Sequence, residues 1–394
     1  MIARIIYILL TITWLPECYL THRLRKNGLL SSWKRLILWW LPTIIMTIFA
    51  LKLALEPDFA PHDMQELLVY LFLLGVYIVP KAVYVITLLV CRKISCLKQH
   101  LLATAMAAGT ISLVLYGVFV EADKIQVENL ELEFDDLPQA FDGYRIVHIS
   151  DIHAGSYVGE RQDKLARTID TVNRLGADAI LFTGDLQNAR AEEITEKQEI
   201  LQRLSAKDGV FSVLGNHDYS DYLRTDDPVV KHKNEHQTIV EQRKMGWKVL
   251  LNEHQKLYRG QDSIVIAGLE NASKKQAYSH EDIPRAMDGI EETAFVVMMQ
   301  HNPWLWRTQI LPNTHAQLTL SGHTHGGQIN LLGLRLTRLT YREDKGLYQQ
   351  EGRYLFVTSG LGGVFPFRLG MPSEIAVITL KRKNIRDIKI PKTS

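Results

Sequence analysis

Only three cysteines occur in 394 residues, Cys18, Cys91 and Cys96, and all fall in the first hundred. The rest of the chain therefore contains neither a disulfide nor a thiolate metal site, and cysteine usage sets no redox compartment. Charge of one sign is lacking too. The formal net charge is +2, so bulk electrostatics argues neither for nucleic acid nor for an acidic ligand. No Gly-x-Ser-x-Gly element and no Walker-type glycine loop is present, which removes the chemistry those motifs carry. Internal repeats and low-complexity tracts are also missing, so solenoid architectures are excluded.

What the chain does have is long apolar runs, at 3–20, 36–55, 67–91 and 101–120. Roughly 20 apolar residues cross the ~30 Å hydrocarbon layer as a helix, so four spans are expected. A cleaved signal peptide would explain the first run alone. Buried helices of a soluble bundle would need a polar face at a period near 3.6, and 36–51 and 67–79 show none. Arg4 and Glu17 interrupt the first run, Lys52 ends the second and Pro80-Lys81 breaks the third. Lys52 is expected to snorkel to the interface, and Lys81 to face a neighbouring helix or a cavity.

Loop charges orient the spans. Segment 21–35 carries Arg23, Arg25, Lys26, Lys34 and Arg35, and segment 92–100 carries Arg92, Lys93 and Lys98. Between them, 56–66 holds Glu56, Asp58, Asp63 and Glu66 without a Lys or Arg. The positive-inside rule puts the basic loops in the cytoplasm. The chain is thus expected to be an integral protein of the plasma (inner) membrane, its lipid bilayer a constant partner, with the C-terminal part outside the cytoplasm.

Two domains are expected, a membrane region over 1–122 and a globular region over 123–394. In the second, strand-like runs at 124–134, 144–150, 179–183 and 210–214 alternate with helical spacing at 161–175 and 191–204, and 235–245 reads as a polar helix. Further strands follow at 247–251, 255–258, 263–267, 294–299, 315–320, 354–358 and 374–380. Alternation followed by many strands implies an α/β fold with a mixed sheet sandwich and outer helices. Irregular stretches remain at 219–234, 270–290 and 326–352, lengths that often carry function.

The strand ends carry the chemistry. The first globular strand runs into Asp151-Ile-His153, the next into Gly184-Asp185, the third into Gly215-Asn216-His217-Asp218. A later one stops at His301, and another at Ser321-Gly322-His323-Thr324-His325-Gly326-Gly327. Each motif alone is most often a turn. Together, all at strand ends, they form a set of carboxylate, amide oxygen and imidazole that suits Mn, Fe or Zn more than Ca. That set exceeds what one ion takes, and a shared carboxylate bridging two ions about 3.5–4 Å apart is its economical use.

This order of motifs, over roughly 143–380, resembles the calcineurin-like metallophosphoesterase family, and Ser321–Gly327 with Gln328-Ile329 resembles its membrane-associated bacterial branch. The resemblance implies a four-layer α/β/β/α sandwich behind the membrane helices, with two divalent metal ions at the strand ends. It further implies that Asp151, His153, Asp185 and His325 hold the first ion, and that Asp185 (as the bridge), Asn216, His301 and His323 hold the second. His217 would contact the scissile phosphate and protonate the leaving group, and Asp218 would orient its ring. Many relatives carry an Asp three residues after the Gly-Asp aspartate, where this chain has Asn188.

The implied activity is hydrolysis of a phosphoester (diester, monoester or pyrophosphate) in a small-molecule or lipid substrate, by water activated between two cations. No nucleic acid binding is expected. A catalytically silent sensor or scaffold is the competing reading, and the complete ligand set argues against it. Arg368, after a glycine-rich run, is a candidate phosphate contact. Arg335, Arg338 and Arg342 form a basic stripe facing lipid, substrate or solvent, and Trp304 and Trp306 either dip into the membrane interface or, as is more usual, pack a helix.

Overall fold

The computed structural model describes residues 1–56, 58, 60, 63–225, 227–273 and 279–383. They fall into two compact units: Met1–Asp123 with Tyr222–Thr225 and Phe365–Leu369, and the remainder. The first unit contains α1 (Ile2–Lys26), α2 (Trp33–Ala54), α3 (Met64–Leu73), α4 (Val79–Val90) and α5 (Cys96–Phe119). A π-helical turn over Leu74–Ile78 joins α3 to α4, so Pro80 leaves the third span continuous by shifting the local hydrogen-bond register. All four helical stretches are long and apolar enough to cross a membrane.

Side chains supply the helix starts: Ser32 accepts from Arg35 N–H, and Asp63 from Gln65 N–H. The interrupting charges meet each other. Lys81 is ion-paired with Glu17, whose other hydrogen bond, 2.7 Å long, comes from Thr43. An intramembrane charge is costly, and pairing is the usual way to carry one. Lys52 pairs with Glu66 at 2.6 Å.

The second unit holds two sheets. One is built from β1 (Ile125–Phe134), β2 (Arg145–Ile149), β3 (Ala179–Phe182), β4 (Gly209–Ser212), β5 (Lys248–Val249) and β12 (Ser373–Arg382). The other uses β6 (Glu253–Arg259), β7 (Asp262–Gly268), β8 (Phe295–Met299), β9 (Leu318–Ser321), β10 (Gly346–Gln350) and β11 (Arg353–Val357). Their orders are β1-β12-β2-β3-β4-β5 and β10-β11-β9-β8-β7-β6. Within them β2, β3 and β4 run parallel, as do β7, β8, β9 and β11. The parallel strands therefore deliver their C-terminal ends to a common edge of each sheet, where ligand sites of such folds form.

Side-chain alternation sorts the core into layers. Ile146, Leu181, Phe211, Phe295, Val297, Leu320 and Phe356 share one buried cluster between the sheets. Their neighbours Val147, Ile149, Ile180 and Phe182 pack instead with Leu165, Ile169 and Val172 of α6 (Arg161–Arg174). On the far face Val265, Val296 and Met298 pack with Leu305, Trp306 and Ile310. Burial on both faces is why these strands read as unbroken apolar runs. The result is the expected α/β/β/α sandwich, with Trp306 packed in the core and Trp304 partly buried against it.

Three local expectations differ. The helix expected over 191–204 is two single turns, α7 (Glu192–Thr195) and α8 (Gln198–Leu201); the β-branched pair Ile194-Thr195 lowers helix propensity near the break. Helix α9 (Pro228–Lys244) begins well before 235, because Asp227 caps it and Pro228 suits the first turn. Inside 326–352 lies β10, a hairpin partner of β11 across Glu351-Gly352, both with positive φ, as a two-residue turn requires. Residue 226 of the 219–234 stretch, 274–278 of the 270–290 stretch and the end of the chain from 384 lie outside the described residues.

Candidate metal centre

The motif residues leave the strands through a shared backbone framework. Beyond β2 and β3 the two chains continue side by side: Asp151 N–H donates to Gly184 O (2.9 Å), His153 N–H to Asp185 O (3.1 Å) and Ala154 N–H to Leu186 O (2.8 Å). Gly322 N–H donates to His301 O at 3.0 Å, tying the β8 and β9 exits. The glycine-rich run seen in the sequence braces the first exit, with Leu361 N–H on Ser150 O (2.9 Å) and Gly362 N–H on Asp151 O (2.7 Å). A Cβ on Gly362 would strike the Ile152 carbonyl, and one on Gly322 would strike Ser150 and Asp151. Only glycine permits that approach.

Asp151, His153, Asp185, His323 and His325 all adopt positive φ, between 51° and 72°. Left-handed backbone at five non-glycine residues costs energy at each, and such strain persists only where the surroundings enforce it. Its concentration on the expected ligands marks the site.

The side chains converge in two groups that share Asp185. In one, His301 Nε2 lies 3.2 Å from Asp185 Oδ2, 3.1 Å from Asn216 Oδ1 and 3.2 Å from His323 Nδ1. His323 Nδ1 is 2.7 Å from Asn216 Oδ1. In the other, His325 Nε2 lies 3.3 Å from Asp151 Oδ1, and His153 Nε2 is 3.7 Å from Asp185 Oδ2. The His153 and His325 rings stack, with centroids 5.2 Å apart. Ligand atoms of Asp151, His153 and His325 lie within 4.8 Å of one another, as do those of Asp185, His301 and His323.

These residues fit divalent cations. His153 Nε2 is buried without a hydrogen-bond partner, although burying an imidazole nitrogen that way is unfavourable. Around Asp185 and Asn216, oxygens and ring nitrogens point at one another, an arrangement a shared cation relieves. Of four shifted groups, Asp185, His153 and His323 stand in the form that binds metal and His301 does not. Burial pushes the Asp185 carboxyl up, but the charges of His301, His217 and His153 outweigh that and hold it well below the usual range. Burial lowers His153 to about 3, with His217 adding to the effect, and lowers His323 to about 3, with His301 adding. Burial also opposes a charged His301, yet Asp185 raises it to about 9. Ionised carboxylate and neutral imidazole are the forms that bind metal, so His301 would release its proton when a cation is held.

Two residues play other parts than the motif implied. Asp218 does not spend its carboxylate on the neighbouring ring. Its oxygens accept backbone N–H groups from Asp185 (2.8 Å), Leu186 (2.8 Å), Gln187 (3.2 Å) and Gly215 (2.9 Å). Burial, with the Asp185 charge, pushes its carboxyl up to about 7 against those bonds. The His217 ring is held by the Asn188 carbonyl, which accepts from Nδ1 at 2.6 Å. The physical reason is position: the Asp218 side chain turns under the strand exits, while the Asn188 carbonyl faces the ring. The Asn188 side chain meanwhile accepts from His153 Nδ1 at 3.1 Å, leaving Nε2 directed at the Asp185 carboxylate. Arg368, the candidate phosphate contact, is buried and belongs to the compact unit of the apolar helices.

Two supporting residues escaped the sequence reading. Tyr341 places its hydroxyl 2.8 Å from His323 Nε2, which directs Nδ1 towards Asn216. Its position in an irregular stretch carried no signal. Glu193 accepts from Asn188, Ala189 and Arg190 N–H at 2.6, 3.0 and 3.0 Å; an acid in the first turn of α7 was a legible capping signal.

The comparisons agree with this geometry. The family described as calcineurin-like phosphoesterase matches residues 144–327. A transmembrane protein with a metallophosphoesterase domain from Danio rerio is 30% identical over 285 residues, 69% of this chain and 61% of that protein. The metallophosphoesterase YkuE of Bacillus subtilis is 30% identical over 297 residues, 71% of this chain and 95% of that one. UDP-2,3-diacylglucosamine pyrophosphatase LpxG of Chlamydia muridarum is 25% identical over 324 residues, 70% of this chain and 95% of that one. With strand-end ligands, sandwich and sequence all in accord, the chain belongs to the calcineurin-like metallophosphoesterases.

Proposed function

We propose that this protein is a membrane-anchored hydrolase that uses two divalent metal ions, Mn, Fe or Zn, to cleave a phosphoester or pyrophosphate bond in a lipid-linked or envelope substrate. The observation that carries the reading is the place of Asp185, whose Oδ2 lies 3.7 Å from His153 Nε2 on one side and 3.2 Å from His301 Nε2 on the other. When bound, two cations supply Lewis acidity that makes water nucleophilic at neutral pH and neutralises phosphoryl oxygens. The protein's own residues do the rest. Asp151, His153, Asp185 and His325 hold one side of the site, and Asp185, Asn216, His301 and His323 the other. A carbonyl only accepts, so the Asn188 bond keeps a proton on His217 Nδ1. Proton delivery to the leaving group is then the task of Nε2. Asp218, through Gly215 and Asp185 N–H, fixes the turn from which His217 projects.

A lipid-linked substrate is supported by the four apolar helices and by the Chlamydia muridarum relative, whose name specifies pyrophosphate cleavage in a diacylated sugar nucleotide. The decisive assay uses solubilised full-length protein loaded with Mn²⁺ or Zn²⁺ on monoester, diester, pyrophosphate and lipid-phosphate substrates. Turnover of one class is expected, reduced about 10²–10⁴-fold in His217→Ala, the usual loss for a general acid. Absence of turnover on every class would favour a silent sensor.

We also infer that the catalytic unit faces away from the cytoplasm, from the basic loops at 21–35 and 92–100. A reporter that is active only in the cytoplasm, fused after Ser394, is expected to be inactive. Full reporter activity would reverse the orientation.

A further inference from the structure

The segment 328–342 follows directly on the His323-His325 loop. It contains Ile329, five leucines and three arginines, and no acidic residue. Its leucines face outward: Leu332 is 104% exposed, Leu334 77%, Leu336 78% and Leu339 84%. So large an apolar cluster on a soluble surface is uncommon and marks an interaction site.

The segment is built to present those side chains. Leu331 and Leu334 exchange backbone hydrogen bonds of 3.1 and 2.9 Å, closing a tight turn with Leu332-Gly333 at its tip. Leu332 has φ 52°. A leucine forced into left-handed backbone and fully exposed is unfavourable twice over in water. After the tip, a single 3₁₀ turn over Leu336–Leu339 buries none of its residues. Beneath it, Asp344 is fully buried and holds the segment down. It accepts from Arg335 Nε (2.7 Å) and Nη2 (2.8 Å) and from the Thr337 hydroxyl (2.9 Å). Arg335 is thereby removed from the basic stripe. Arg338 and Arg342 remain mostly exposed, 3.8 and 3.9 Å from the nearest carboxylate oxygens.

We propose that 328–342 is a lipid-bilayer docking surface, with Leu332, Leu334, Leu336 and Leu339 entering the interfacial region and Arg338 and Arg342 meeting lipid phosphates. Three observations select a bilayer as the occupant. A chain with four membrane-crossing stretches is always beside one, so docking is effectively intramolecular. An apolar face flanked by arginines and free of acids complements an anionic headgroup layer. Rigid presentation removes the ordering cost that a flexible loop would incur on docking. Through Tyr341, which reaches His323 from the end of this segment, the surface adjoins the candidate metal centre. It would bring a lipid headgroup to the ligands without extraction of the lipid. The docking itself does not depend on the proposed reaction.

The test uses the full-length chain with Cys18, Cys91 and Cys96 replaced by serine. An environment-sensitive NBD fluorophore is attached at Leu332→Cys, at Leu339→Cys, or at Tyr258→Cys, an exposed strand position. The proteins are reconstituted in phosphatidylethanolamine–phosphatidylglycerol vesicles with or without doxyl-labelled lipid. The expected result is blue-shifted emission, quenched by doxyl lipid, at 332 and 339, with aqueous, unquenched emission at 258. Aqueous emission at 332 and 339 would overturn the proposal, as would equal quenching at all three sites. Blue-shifted emission that resists doxyl lipid and grows with protein-to-lipid ratio would also overturn it, in favour of a second copy of the chain. Because the readout is depth and not turnover, failure of the proposed activity leaves this result unaffected.

Discussion

Replacing Asp185 by Asn is expected to lower metal-dependent turnover by on the order of 10³-fold or more, the scale seen when one member of a constellation acting as a unit is removed. The substitution keeps shape and one acceptor oxygen, so the His217 N–H bond to Asp185 Oδ1, 2.8 Å long, has a replacement. What disappears is the charge. Asp185 Oδ2 lies between His153 Nε2 (3.7 Å) and His301 Nε2 (3.2 Å), and its negative charge is the one that His301 answers. A neutral amide supplies no such charge to a divalent cation. Calorimetry separates this cause from misfolding. Metal at a hundredfold excess over Kd should stabilise the wild-type protein by about 2.7 kcal/mol, and Asp185→Asn should melt normally in the apo form but lose that increment. Retention of both turnover and metal-induced stabilisation would show that Asp185 is not the bridge.

Asp218→Ala is expected to be the most destabilising single change at the site, and through the backbone. Four buried N–H groups, those of Asp185, Leu186, Gln187 and Gly215, donate to this one carboxylate. An unsatisfied buried donor costs about 1–3 kcal/mol, so even the lower end sums to about 4 kcal/mol, a large part of a typical domain stability of roughly 5–15 kcal/mol. Asp218→Asn should fall between, because one oxygen still accepts while the amide NH₂ opposes the donors facing it. The check is a urea or thermal melt of the solubilised protein with each variant. If Asp218→Ala melts as the wild type does while activity drops, the carboxylate serves His217 directly, as the motif had implied.

That contrast measures what each level of description carries. The apolar runs, the strand-end order from Asp151 to His325 and the two-faced burial of β2, β3 and β8 are local properties. Side-chain period and residue type dictate them, so they are legible in the sequence. Cap signals are local too: Asp227-Pro228 starts α9 ahead of its polar-helix pattern. The pairing of Lys81 with Glu17, 64 residues apart, is not.

The family, the layers and the candidate ligands could be read from residue order alone, because they rest on period, spacing and the chemistry of single residues. Only the tertiary structure decided which acceptor serves which donor: Asn188 for His217, Asp218 for four amides, Tyr341 for His323. Such assignments depend on how distant strand exits register against one another. Only the fold, too, decided that five expected ligands take left-handed backbone. Side chains other than glycine rarely adopt that conformation outside turns, and at these five residues packed strand exits and close-approaching glycines impose it.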